Sequence, residues 1–115
     1  MALTGTAKKL KIIIGERDVV YEHPLYEAIA MAAAKFGVAG ITVYHGVSGF
    51  GAAAYQSPPT ISKNERPVVI EAIDKPERIS QFADIVISLF DKAHCNGIVY
   101  MVDVEVLHYR KRDWT

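Results

Sequence analysis

Two stretches with helical spacing alternate with four strand-like stretches, and the order in which they occur admits few folds. Residues 9–14 mix lysines with aliphatic side chains and then become continuously β-branched before Gly15, which reads as a strand. From Pro24 onward Leu25, Ile29, Ala32, Ala33 and Phe36 recur at helical spacing, with proline in the first turn and Gly37 placed as a stop. Ile41, Val43 and Val47 form an alternating series running through Ser48, and Val68, Ile70 and Ala72 repeat it within residues 67–73. Asp74 and Glu77 have the spacing of a capping box, and Ile79, Phe82, Val86, Leu89 and Phe90 mark one stripe of a helix ending near His94. Gly97 restarts an extended run over 98–109. The charged 16–22 stretch reads as a mobile segment, and the tail from Arg110 as peripheral apart from Trp114.

The order is therefore β-α-β-β-α-β. It predicts an α+β, ferredoxin-like fold: a four-stranded antiparallel sheet with two helices on one face. Strand alternation assigns the other face Lys11, Ile13, Val69, Glu71 and Ile73, together with Val99, Met101, Asp103, Glu105 and Leu107. That face carries too many aliphatic groups to be wholly solvated, so it predicts association with identical subunits. The competing expectation is a C-terminal segment folded back over its own sheet.

Between the second and third of these strands, Gly46-Val47-Ser48-Gly49-Phe50-Gly51 opens a stretch, continuing through Glu65, that has no hydrophobic period. Aperiodic connections of this length inside a compact domain are usually binding loops, lids or disordered segments. Three glycines in six residues let backbone N–H groups approach an anionic ligand, although glycine serves a bulge and a turn equally well. The loop is placed at about 49–66.

At 115 residues, the chain fits one domain, 1–115, with its core at about 9–109. Apolar runs fall short of the roughly 20 residues of a membrane span, the first residues lack a signal-peptide pattern, and Cys95 stands alone, so a cytoplasmic location is expected. Thirteen basic residues balance thirteen acidic ones, which removes the field that would recruit nucleic acid; none is expected as a partner.

Ile14-Gly15-Glu16, Pro24-Leu25-Tyr26-Glu27-Ala28-Ile29, Gly40-Ile41-Thr42-Val43, the glycine-rich segment, Ser62, Pro67-Val68-Val69-Ile70-Glu71 and Asp74 resemble a family of short prokaryotic PII-like proteins, over roughly residues 10–106. More distantly, Thr42-Val43, Gly49-Phe50-Gly51, the 68–73 strand and Gly97 with Val102-Asp103-Val104 are similar to PII signal-transduction proteins. The resemblance implies a PII-like homotrimer with ligand clefts between subunits at the base of the long loop, signalling through that loop to a membrane transporter or channel. It implies an adenine nucleotide as ligand and no required cofactor. The implied ligand-binding residues are Glu16, Gly46, Gly49, Phe50, Gly51 and Arg66, with Tyr109, Arg110 and Lys111 from the last strand of a neighbour. Glu16 would read a ribose hydroxyl and Arg66 a phosphate. Departures favour AMP or ADP over ATP: Ala52-Ala53 follow the Gly-Phe-Gly where PII proteins carry a polar pair, and Ile98 stands where they carry a lysine. The C-terminal basic residues align as Tyr109 and Lys111, or as Arg110 and Arg112 in the register one residue away.

Other chemistries are weaker. His23, His45, His94 and His108 show no metal-ligand spacing, and His94 beside Cys95 sits where a histidine complements a helix dipole. His45 shares its parity with Ile41 and Val43, leaving it partly buried or facing a ligand. No P-loop, carboxylate pair or triad is present, so the chain is not expected to be an enzyme. The alternatives are a trimeric metal-binding or metal-tolerance protein and a small nucleotide-processing enzyme.

Overall fold

A computed structural model describes residues 3–46 and 66–111. In chain order the elements are β1 (Gly5–Gly15), β2 (Val19–Val20), β3 (His23–Pro24), α1 (Leu25–Phe36), β4 (Gly40–His45), β5 (Pro67–Asp74), α2 (Pro76–Ala93) and β6 (Ile98–Val106). Four strands form one sheet in the order β4-β5-β1-β6, with every neighbouring pair antiparallel. This is the expected ferredoxin-like split βαβ arrangement. β4 stops at His45, short of Ser48, which lies outside the described residues, as do Arg112 and Trp114.

The core follows from two periods meeting. Leu10, Ile12 and Ile14 on β1 lie opposite Ala72, Ile70 and Val68 on β5, and all six are buried beneath the helices. From α1 come Leu25, Ile29 and Ala33, and from α2 Ile79, Phe82 and Val86, at the spacing of one helical face. Each large apolar side chain buried in this way contributes roughly 1.5–3 kcal/mol relative to remaining in water. Gly37 ends α1 in the left-handed region, at φ 79°, with its N–H donating to the Ala33 carbonyl.

The capping box at Asp74 and Glu77 does not form. Asp74 is the last residue of β5 and Lys75 occupies the N-cap with no side-chain cap. The Asp74 carboxylate, almost wholly buried, instead accepts from Ala39 N at 3.1 Å, Lys75 N at 2.7 Å and Arg78 Nε at 2.9 Å. Arg78 also donates to the Phe36 and Gly37 carbonyls at the end of α1 and lies over the Phe36 ring. One ion pair thus fastens the start of α2 to the end of α1.

The 16–22 stretch is not an open loop. After a turn at Gly15, β2 and β3 pair as a small hairpin whose central residues, Tyr21 and Glu22, have φ of 50° and 65°. Asparagine and glycine usually fill those positions, so the sequence carried no hairpin signal.

The uncovered sheet face needs one correction. Register places Lys11 opposite Glu71 and Tyr100, Ile13 opposite Val69 and Ile98, and Lys9 opposite Ile73 and Val102. The β6 side chains on this face are therefore Ile98, Tyr100 and Val102, continuing to Val104; Val99, Met101, Asp103 and Glu105 point to the helix side. Alternation was unreadable there because residues 98–102 are apolar without interruption. Asp103 stays exposed on the helix side, where it pairs with Lys8 at 2.7 Å beyond the cover of the helices. Leu107 lies past the strand and is 85% exposed. After β6 the chain reaches back across one end of the sheet, where the Tyr109 hydroxyl donates to the Ala39 carbonyl at 3.3 Å.

Candidate functional site

The end of the sheet where β1 and β4 stop and β5 begins gathers several of the expected residues. A tight turn sets it up: the Asp18 carboxylate accepts from Gly15 N at 2.8 Å, and the Asp18 carbonyl accepts from Leu25 N at 2.8 Å. This turn presents Glu16, whose N–H donates to the Arg66 carbonyl at 3.0 Å and so extends the β1–β5 ladder one pair beyond Gly15 and Pro67. On the other side Gly46 N donates to the Pro67 carbonyl at 2.7 Å. A Cβ on Gly46 would stand 2.5 Å from Pro67 Cγ, which is why the closure requires glycine.

The side chains meet as closely as the backbone. His45 Nδ1 lies 3.1 Å from Glu16 Oε2, and the Tyr26 ring of α1 meets the His45 ring edge-on at 5.5 Å between centroids. By strand parity Glu16, His45 and Arg66 share the helix side of the sheet end, since His45 pairs with Val68 and Glu16 with Arg66. The Arg66 Nε atom is buried with no hydrogen-bond partner, and no carboxylate among the described residues lies within ion-pair distance of its guanidinium. An unsatisfied buried donor costs roughly 1–3 kcal/mol, and native structures rarely keep one without a use.

Glu16, Gly46 and Arg66 are thus brought together. Gly49, Phe50 and Gly51 lie outside the described residues. Tyr109 lies at the opposite end of the sheet: its hydroxyl is bound at Ala39, the residue before β4, so the length of that strand, roughly 20 Å, separates it from Gly46 within one chain. Arg110 and Lys111 follow it, both exposed. Glu16 and His45 are each marked by the sequence, but their pairing is not, nor is the part played by Tyr26. Parity assigns His45 a face; its partner depends on where β1 ends, two strands away across β5, and periodicity does not carry that.

A second polar group occupies the uncovered face. Glu71 accepts from the Tyr44 hydroxyl at 3.0 Å and has Lys11 and Lys9 at 3.5 and 3.8 Å. The hydrogen bond to Glu71 holds the Tyr44 phenol above its ordinary value. Tyr100 and then Tyr44 raise the Lys11 ammonium, with Glu71 adding to them. Partial burial, helped by Asp18, pushes the Cys95 thiol up, which keeps it protonated and poorly nucleophilic. No group of three His, Cys, Asp or Glu side chains among the described residues is arranged to hold a metal ion. A cleft of about 350 Å³ lies elsewhere, between the β2–β3 hairpin and the outer sides of α1 and α2, lined mainly by Val20, Tyr21, Met31, Ile85 and Leu89. Its lining is largely apolar, with Tyr21, His23, Glu27 and Lys35 as the polar members, whereas the sheet end at Glu16 brings together a carboxylate, an imidazole and a buried guanidinium N–H and is the stronger candidate. Among the described residues no helix is long and apolar enough to cross a membrane.

The architecture is that of PII-like proteins. CPII from Thiomonas intermedia K12, a nitrogen regulatory PII-like protein bound to ADP, AMP and bicarbonate, superposes with a TM-score of 0.66 at 19% identity, covering 93% of this chain and 94% of that one. A proposed PII-like signaling protein from Thermus thermophilus gives 0.64 at 18% identity, with the same coverage of both chains. Residues 7–106 match the family model DUF190, described as Uncharacterized ACR, and the chain belongs to that family. UPF0166 proteins from Aquifex aeolicus and Methanocaldococcus jannaschii are 28% and 29% identical to it, over 88% and 87% of this chain and 93% and 91% of theirs.

Proposed function

We propose that the protein is a non-catalytic, PII-like regulator, a single domain over 1–115, that assembles as a homotrimer in the cytoplasm and binds an adenine nucleotide, AMP or ADP in preference to ATP. The observation that carries this reading is the convergence of Glu16, Gly46 and Arg66 at the base of the 49–66 loop, with a buried guanidinium N–H lacking an acceptor. On a fold whose neighbour CPII is bound to ADP and AMP, that donor suits a phosphate. Gly49, Phe50 and Gly51 would add backbone donors.

Assembly supplies the rest of the cleft. Tyr109, Arg110 and Lys111 cannot reach Gly46 of their own chain, so their contribution requires a neighbour. The uncovered sheet face, with Ile98, Tyr100 and Val102 more than a third exposed, is the surface that would bring neighbours together. Nucleotide occupancy would be transmitted through the loop to a partner, for which a membrane transporter or channel is the expected class. Calorimetry with AMP, ADP and ATP tests the ligand: saturable binding in the order ADP or AMP before ATP is expected, and heat from none of them removes the assignment. Sedimentation at micromolar concentration tests assembly, where a monomer alone refutes the trimer.

A further inference from the structure

Glu16 is engaged before any ligand arrives. Its carboxylate faces His45 Nδ1 at 3.1 Å, and its backbone N–H is spent on the Arg66 carbonyl. A carboxylate held against one ring nitrogen of a histidine fixes that ring's orientation and leaves the other nitrogen, Nε2, to act. The Tyr26 ring of α1 meets the imidazole edge-on, so His45, 41% exposed, is held from two sides. Beside it on the same side of the sheet end stands the one buried, unpartnered side-chain donor among the described residues, Arg66 Nε.

We propose that His45 and Arg66 form an oxyanion subsite for a phosphoryl group, and that Glu16 serves as the positioning residue for His45 instead of reading a ribose hydroxyl. Among the described residues the Glu16 carboxylate at the end of β1 faces the imidazole and the Tyr26 ring of α1 meets its edge, while Arg66, paired with Glu16 through the backbone at the start of β5, shares their side of the sheet; Asp18 is tied to Gly15 N. In the imidazolium form Nδ1–H donates to Glu16 and Nε2–H, which has no partner among the described residues, can donate to a phosphate oxygen, while the Arg66 guanidinium supplies a second charge-assisted donor. In that form Glu16 offsets the imidazolium, and Arg66 is left as the net cation of the subsite. That suits a mono- or diphosphate end better than a longer, more highly charged chain. The inference rests on the nucleotide reading only for the source of the phosphoryl group; free pyrophosphate has the same chemistry.

The test uses the full chain with pyrophosphate and ADP as separate ligands, following affinity by calorimetry and the His45 ring by imidazole ¹H–¹⁵N NMR. Pyrophosphate should move the His45 ring signals of the wild-type protein. His45→Gln and Arg66→Gln should each weaken both ligands about tenfold or more, the loss of one charge-assisted hydrogen bond. Glu16→Ala should weaken pyrophosphate by the same factor as ADP, and Glu16→Gln, which still offers Nδ1–H an acceptor, should recover most of the loss. A Glu16→Ala protein that loses ADP affinity but keeps full pyrophosphate affinity would instead make Glu16 a ribose contact and overturn the proposal. So would His45 signals unmoved by pyrophosphate, a result that stands even where a variant fails to fold. Pyrophosphate binding at His45 with no nucleotide binding keeps the subsite and removes the adenine reading; ADP binding indifferent to His45 and Arg66 does the reverse.

Discussion

Replacing Arg78 by Met is the sharpest test of how the two helices are joined. Methionine keeps the length of the aliphatic stem, while every donor and the guanidinium that lies over the Phe36 ring are lost. Three bonds disappear: the one to Asp74 at 2.9 Å and those to the Phe36 and Gly37 carbonyls at 3.1 and 2.8 Å. Stranding a buried charge costs about 3–5 kcal/mol where the charge has no other partner. Asp74 keeps the Ala39 and Lys75 N–H groups, and the Arg78 side chain is a third exposed, so solvent recovers part of the loss. A loss of about 2–3 kcal/mol follows, or a melting point lowered by about 10–20 °C for a domain of this size. Urea unfolding at one fixed protein concentration measures it, because the assembly proposed above would make stability depend on concentration. The Asp74→Ala, Arg78→Met cycle should show coupling of about 1–3 kcal/mol, the double variant losing less than the sum. Strictly additive losses, or an Arg78→Met protein as stable as the parent, would mean that the helices are held by their apolar stripes alone. The nucleotide affinity proposed above should be unaffected, since Asp74 ends β5 and Arg66 precedes its start.

Three further outcomes are expected. Gly46→Ala drives a Cβ into Pro67 and should cost about 1–3 kcal/mol, while Gly97→Ala, whose Cβ would stand 2.6 Å from the Ile13 carbonyl, should cost at least as much; thermal melts of the two variants check this. His94 closes α2 with φ 53°, so His94→Gly should stabilise by about 0.5–1 kcal/mol, read by chemical denaturation, and a destabilised variant would refute the left-handed cap. The Tyr44 and Lys11 values are raised on folding, from 10.0 and 10.5, so their contribution is complete below pH 10 and fades as pH climbs through the folded-state values. Phenolate absorbance should show one tyrosine titrating late in the folded protein, and Glu71→Gln or Tyr44→Phe should abolish that late component.

Much of the architecture could be read before any coordinates, and the failures have physical reasons. Leu25, Ile29 and Phe36, like Ile79, Phe82 and Val86, repeat at a period that only a helix satisfies, and the strands beside them alternate, so the element order was legible. The outward face of β6 was not, because Ile98 to Val102 is apolar on both sides and period two vanishes in an unbroken run. Asp74 carried a local signal, the capping spacing to Glu77, that lost to Arg78 one helical turn on and to Ala39 brought in by tertiary packing. Tyr21 and Glu22 formed a hairpin that their residue types argue against. At the candidate site, Gly46 and Arg66 were visible as loop boundaries and Glu16 as a strand end. That Glu16 meets His45 depends on strand register and a turn held by Asp18, and neither is written in any short motif.

The position of β1 has a consequence for biogenesis. β1 is made before the two strands, β5 and β6, that flank it in the sheet. Until then its two hydrogen-bonding edges stand open, the condition in which nascent β-rich chains stick to one another. Lys8, Lys9 and Lys11 on that same strand are charges of the kind that discourage such pairing, so the side chains that meet Asp103 and Glu71 in the finished molecule suit the growing chain as well.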